Sequence, residues 1–244
     1  MNLKTTRVKQ ASGSGPLWRH ITNESENERV IVHAGCRRDL DDMVEDSRRS
    51  NVTYACRHIA ISPTHDEKIT PTRARRVADA YAAEFKCNRH VYVLIEHKKR
   101  RRRAPGSDRH YHVVFGEFNP VTQRVIDCRN MYPRNELVAR IVEIDFGREP
   151  TRGRHNRAVY ARLKALGFDH RAERMRHLTE GRPALAAIGG QELRRSERLG
   201  WNHEHLKNCV HTAWINSSDK QTFIHALMEA GLNLRIDGGT WLVY

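Results

Sequence analysis

The chain contains no run of eighteen apolar residues, so it offers no segment that could span a bilayer as a helix. Its start, Met1-Asn2-Leu3-Lys4, lacks the apolar core of a secretory signal. Its five cysteines are odd in number and scattered, and no Cys-x-x-Cys occurs. Cys36, Cys56, Cys87, Cys128 and Cys209 therefore argue against a disulfide framework or a zinc ribbon, and for a reducing cytoplasm. Acidic residues are also scarce. Against 29 Asp and Glu stand 43 Lys and Arg, for a formal charge of +14. Such a surplus points to a polyanionic partner, because Lys and Arg that neutralise phosphates release counterions. Solubility alone, or a membrane-surface role, would also carry it. A length of 244 residues can bury a substantial core, as one domain with an appendage or as two small domains.

Histidine, by contrast, is abundant and patterned. In Arg109-His110-Tyr111-His112-Val113-Val114-Phe115, two histidines flank one residue. Successive side chains of a β-strand point to opposite faces, so His110 and His112 project together. A third, His97, ends the apolar run Val91-Tyr92-Val93-Leu94-Ile95. A hairpin across the basic, Pro-Gly-containing stretch from Lys98 to Asp108 would bring the three imidazoles within reach of one divalent ion. Three protein ligands leave coordination positions open for substrate. With 15 His in the chain, one His-x-His also arises by chance as partly buried strand histidines, and it is His97 that sharpens the reading.

The remaining pattern is that of an α+β domain, an antiparallel sheet with helices packed on it. Arg29 to Val32, Val52 to Ile61, residues 91–97, residues 110–118 and Arg124 to Cys128 read as strands. Asp39 to Ser50 and Asn135 to Phe146 read as helices. Thr70-Pro71 opens another in N-cap and N1 order, with Ala74, Val77, Ala78, Tyr81, Ala82 and Phe85 on one stripe.

These histidines and the Val-Val-Phe after them resemble the three-histidine motif of the HUH endonucleases, and most closely the MobA/VirD2-type relaxases. Tyr54 to Pro63 resembles the family's central strand. Thr70 to Ala74 with Ala78 to Tyr81 resembles its first long helix. Asn130 to Glu136 and Gly153 to Arg157 resemble the segments after its metal motif. The resemblance runs in order over about residues 12 to 165. It implies a metal-dependent enzyme of conjugation or mobilisation that nicks one DNA strand at a transfer origin, stays joined to the 5′ phosphate, and rejoins the ends. It also implies that His97, His110 and His112 hold the divalent ion, Mn or Mg, with Zn or Ni as alternatives. The partners implied are single-stranded origin DNA, accessory relaxosome proteins and a type IV secretion coupling protein, with the protein cytoplasmic or exported with the strand. One departure is the loop after His97, Lys98-Lys99-Arg100-Arg101-Arg102-Arg103, where the family commonly has a short acidic-polar loop.

A second departure concerns the nucleophile. The family's usual catalytic Tyr falls in a Leu-x-x-Tyr pattern, and here Leu17-Trp18-Arg19-His20 places His20 there. His20 is itself a chemically competent nucleophile, since a neutral imidazole has a lone pair for in-line attack. The alternatives are a nuclease-inactive, origin-binding protein of the same fold, or a substitute Tyr54, which reads as strand packing. A replication initiator of the HUH type is a further alternative. Such proteins carry their Tyr after the histidine pair, where this chain has Tyr132 and Tyr160, neither in a clear helical Tyr-x-x-Lys/Tyr pattern.

Lys98, Lys99, Arg100, Arg101, Arg102 and Arg103 are expected to contact the DNA backbone, as are Arg152, Arg154 and Arg157. Each cluster also reads as a solvated face. The expected organisation is a nuclease domain over 1–177, a linker over 178–199 and a small accessory module over 200–244. In that module Ser218-Asp219 caps a helix stopped by Gly231. A hairpin turns at Asp237-Gly238-Gly239, and the chain stops on its apolar second strand, which either closes the module or precedes more sequence. His203 and His205 form a second His-x-His with polar flanks, read as surface histidines.

Overall fold

A computed structural model describes residues 1–25, 27–64, 67–99, 109–181, 202–237 and 240–243. The chain divides into two compact units, Met1–Leu185 and Ala186–Tyr244. In the first, β1 (Asn2–Lys9), α1 (Gly15–Ile21), β2 (Asn27–Ala34), α2 (Arg37–Arg49), β3 (Tyr54–Ser62), α3 (Pro71–Phe85), β4 (Tyr92–Lys99) and β5 (Arg109–Gly116) follow in order. The five strands form one sheet in the order β1-β3-β5-β4-β2, each pair antiparallel. A two-stranded ribbon, β6 (Phe118–Asn119) and β7 (Arg124–Val125), then leads to α4 (Met131–Asp145), α5 (Asn156–Ala165) and α6 (Asp169–Met175).

Strand alternation divides the core. Ile59, Ile61, Leu94, Tyr111, Val113 and Phe115 pack against Val77, Tyr81 and Phe85 of α3 and Val138 of α4. Cys56, Val93, Ile95 and Val114 face the other way, onto Leu17 and Ile21 of α1 and Leu40, Met43 and Val44 of α2. Helices therefore cover both faces of the sheet. Each fully buried aliphatic or aromatic side chain contributes roughly 1.5–3 kcal/mol. The outer side of α4 carries a smaller core made with α5 and α6, including Leu137, Val159, Leu163 and Met175.

Local chemistry sets the ends of these elements. The Thr70 hydroxyl accepts from the Arg73 amide at 3.2 Å, Pro71 opens α3, and Lys86 ends it in the left-handed region at φ 57°. Between β2 and α2 the chain turns at Gly35, φ 72°, where a Cβ would lie 2.9 Å from the Tyr92 carbonyl oxygen. Only glycine fits that approach. The helix expected to begin at Asn135 starts instead at Met131, because Pro133 is tolerated within a first turn. The strand expected to run to Cys128 is only Arg124–Val125, since Ile126 turns into the core and donates its amide to the Glu117 carbonyl at 2.9 Å. The strand expected over 110–118 ends at Gly116.

A buried ion pair ties the sheet to this ribbon. Arg57 is 0% exposed, and its Nε and Nη2 donate to the two Glu117 carboxylate oxygens at 2.9 and 2.6 Å. Arg7 of the edge strand donates to the same carboxylate at 2.9 Å. Glu117→Ala should destabilise the first unit by about 3–5 kcal/mol, because it strands a buried guanidinium without a counter-charge. Urea unfolding measures this, and an unmoved midpoint would remove the pair from the account of stability.

The second unit has helices His203–Ile215 and Lys220–Glu229 and a hairpin of Leu234–Asp237 with Thr240–Val243. The Asp219 carboxylate caps the second helix, accepting from the Thr222 amide at 2.8 Å. The helix over His203–Ile215, where only polar flanks to a His-x-His were apparent, is an addition to the expected helix and hairpin. Glycines 238 and 239 of the turn lie outside the described residues, as does nearly all of the expected linker, 182–199. Among the described residues no helix is long and apolar enough to cross a membrane.

Candidate metal centre and nucleophile

Strands β4 and β5 pair so that His97 stands directly opposite His110, and Ile95 opposite His112. All three histidines share the face of Val93, Ile95 and Val114, under α1. Ring centroids are 4.8 Å apart for His97 and His110, 4.4 Å for His97 and His112, and 4.9 Å for His110 and His112. One ring nitrogen from each lies within 4.8 Å of the others. His97 and His112 are buried and His110 is half-buried.

The register that creates this cluster is held from the opposite face. Glu96, 2% exposed, receives the Tyr111 hydroxyl at 3.1 Å and meets His33 Nε2 at 2.8 Å. Arg109 adds an ion pair at 3.4 Å. Glu96, Arg109 and Tyr111 alternate with the histidines along β4 and β5, so a slip of one residue would break the network and bury the wrong side chains.

Hydrogen bonds orient the rings. His97 Nε2 lies 2.6 Å from the Ile21 carbonyl oxygen. A carbonyl only accepts, so Nε2 carries the proton and Nδ1 keeps a lone pair. His112 Nδ1 lies 2.6 Å from Nε2 of His58, a residue of β3. His112 Nε2 is buried and has no hydrogen-bond partner. Burial, then the charges of neighbouring His58, His110, His97 and His20, depresses the pKa of His112 below the ordinary imidazole range. Burial, then His20, His97 and Lys4, lowers that of His58 to about 4. Burial thus favours the neutral form of His112 and His58. An orphaned buried nitrogen, a partner-held ligand ring and a convergent all-nitrogen set fit a divalent ion.

His20 lies in the last turn of α1, exposed at the edge of this cluster. Buried Leu17 and Ile21 seat the helix on the sheet. The His20 ring is 5.8 Å from that of His58 and 5.9 Å from that of His112, edge-on to both. Tyr54, the alternative nucleophile, sits four residues before His58 on β3, roughly 13 Å along the strand. The Arg7 guanidinium covers its ring at 3.8 Å from the centroid. Tyr132 and Tyr160 belong to α4 and α5, over the other face of the sheet.

Two residues join the site that the sequence did not single out for chemistry. His58 was legible only as part of a strand. Lys4 on β1 pairs with Ala60 and is exposed on the same face as the histidines, and its charge is among those acting on His58. Of the basic loop, Lys98, next to last in β4, forms an ion pair with Glu28 at 2.7 Å, and Lys99 is the last residue of that strand. Arg100, Arg101, Arg102 and Arg103 lie outside the described residues. Arg152, Arg154 and Arg157 sit at and before α5, over the opposite face from the histidines. Arg152 donates to the Glu180 carbonyl at 2.8 Å and Arg157 to the Thr179 carbonyl at 3.1 Å. The Arg154 amide donates to Glu136 at 3.0 Å.

A family model described as "Relaxase: MobA/VirD2-like, nuclease domain" matches residues 20–148, more than half of the chain. The chain matches no curated protein and no solved structure.

Proposed function

The chain belongs to the MobA/VirD2-like relaxases of the HUH superfamily, DNA-nicking nucleases that act on single-stranded origin DNA, and on that footing we propose a histidine-nucleophile relaxase. It cuts one strand at the transfer origin of a mobile element and later rejoins it. The observation that carries this reading is the exposed His20 imidazole at the edge of the His97, His110 and His112 cluster.

An unprotonated His20 nitrogen forms an N–P bond to the scissile phosphate as the bond from phosphorus to the 3′ oxygen breaks. The departing 3′ oxygen takes up a proton, and the 5′ phosphoryl group stays on His20. Attack by a new 3′ hydroxyl reverses the step and releases the imidazole. When bound by His97, His110 and His112, a divalent ion would polarise the non-bridging phosphate oxygens and offset charge in the transition state. Mn²⁺ or Mg²⁺ would suit the phosphate, and imidazole ligands also accept Zn²⁺ or Ni²⁺. Seating of α1 by Leu17 and Ile21 fixes His20 for in-line approach. Lys4 and the basic residues Lys98 to Arg103 hold the strand by its backbone, which positions DNA without reading its sequence. Arg152, Arg154 and Arg157 supply a second basic region. The organisation proposed is a nuclease domain over 1–177, a linker over 178–199 and an accessory module over 200–244, working with relaxosome proteins and a secretion coupling protein.

The test is incubation of the full chain with Mn²⁺ and labelled single-stranded oligonucleotides spanning a transfer origin, resolved on denaturing gels. The downstream fragment should appear linked to the protein through its 5′ phosphate, beside a free upstream fragment ending in a 3′ hydroxyl, and both should vanish when EDTA removes the metal. A shift only on native gels, with the DNA intact, would make the chain a binding protein of the same fold.

A further inference from the structure

The His112 ring has two nitrogens with different surroundings. Nε2 is buried without a hydrogen-bond partner, and the ring converges with His97 and His110 on one side and with His58 and His20 on the other. Nδ1 lies 2.6 Å from His58 Nε2. The register puts His58 opposite Val114 and Ala60 opposite His112, so the two histidines are diagonal neighbours on one face. Their rings lie nearly parallel, 20° apart, with centroids at 4.9 Å.

The proton between them has two placements. If His58 Nε2 donated, His112 would carry its own proton on Nε2. That would leave a buried N–H without an acceptor, and an unmade buried hydrogen bond is costly. If His112 Nδ1 donates, His58 Nε2 accepts and His112 Nε2 is left as a lone pair directed into the centre. Only the second placement makes His112 a ligand.

We propose that His58 is a positioning residue that locks His112 in the tautomer whose Nε2 lone pair faces the metal centre. This deepens the functional reading above and rests on its metal assignment. His58 plays for His112 the part that the Ile21 carbonyl plays for His97, and it need touch neither metal nor DNA to do so. Glutamine can place its side-chain oxygen near where His58 has Nε2, so it keeps the acceptor, whereas leucine fills the space without one.

Mn²⁺ affinity of the full chain without DNA, measured by calorimetry and by loss of the free-ion paramagnetic signal, tests this. His58→Leu should bind Mn²⁺ roughly 10–100-fold more weakly than wild type, the usual cost of losing an outer-shell partner of a ligand. His58→Gln should stay within about threefold of wild type, since the acceptor survives. A His58→Leu affinity equal to wild type would overturn the proposal. Equal losses in both variants would also overturn it, making His58 a packing residue. So would a second equivalent of metal in wild type that His58→Leu loses, which would make His58 a ligand. Failure of the underlying metal assignment reads differently, because His110→Ala would then bind Mn²⁺ as wild type does.

Discussion

Replacing His20 with alanine should eliminate the covalent protein–DNA product, with nicking reduced by about 10⁴-fold or more, as for loss of a nucleophile elsewhere. The substitution is mild structurally. His20 is exposed, while the contacts that seat α1 come from Leu17 and Ile21. Metal held by His97, His110 and His112 should persist, because that set does not include His20, although His20 also converges with His58 and His112 within 4.8 Å. Oligonucleotide affinity, followed by fluorescence anisotropy, should change little, since backbone contacts are assigned to lysines and arginines. The wild-type adduct has its own signature. A phosphorus–nitrogen bond to imidazole hydrolyses in acid, whereas a phosphotyrosine bond survives it. An acid-stable adduct that persists in His20→Ala would assign the nucleophile to a tyrosine instead.

His110→Ala should lower Mn²⁺ affinity by more than the roughly 100-fold upper range seen for an outer-shell contact, because it deletes a ligand itself. Mn²⁺-dependent nicking should go with it. His110 suits this test because it is half-buried, so truncation opens little cavity, whereas His97 and His112 are packed inside. His205→Ala is the matched control. It removes a histidine from the second His-x-His, where His205 lies on a helix with its Nε2 3.5 Å from Cys209 Sγ. Nicking unchanged in His110→Ala and in EDTA would leave the cluster without a role in the chemistry.

The histidine trio was legible because a strand has a two-residue period and His110 and His112 obey it. His97 could be added because it ends the neighbouring apolar run. His58 obeys the same alternation but has no histidine two residues away. Its partner lies across β3 and β5, and only their register brings the two together. The edge strand β1 was unreadable for a related reason. Asn2-Leu3-Lys4-Thr5-Thr6-Arg7-Val8-Lys9 buries Leu3 but leaves Lys4, Thr6 and Lys9 exposed, so it shows little apolar alternation. Helix α1 is only seven residues long and begins at Gly15-Pro16, too short to display a period. For Arg152 and Arg157 the sequence shows charge but not which partner takes it, and the carbonyls of Glu180 and Thr179 come from a distant segment.

The bond between His97 Nε2 and the Ile21 carbonyl joins a cluster ligand to the residue that follows His20. Stabilising one end of that link stabilises the other, and thermodynamic linkage makes the effect symmetrical. A cation that fixed the His97 ring would narrow the motions of the helix end next to the nucleophile. A DNA strand that held His20 in place would, to the same extent, tighten the grip on the cation. On the proposed reading, the metal-loaded and strand-bound forms would be cooperative states of one short helix, and scarcity of either ligand would raise the requirement for the other.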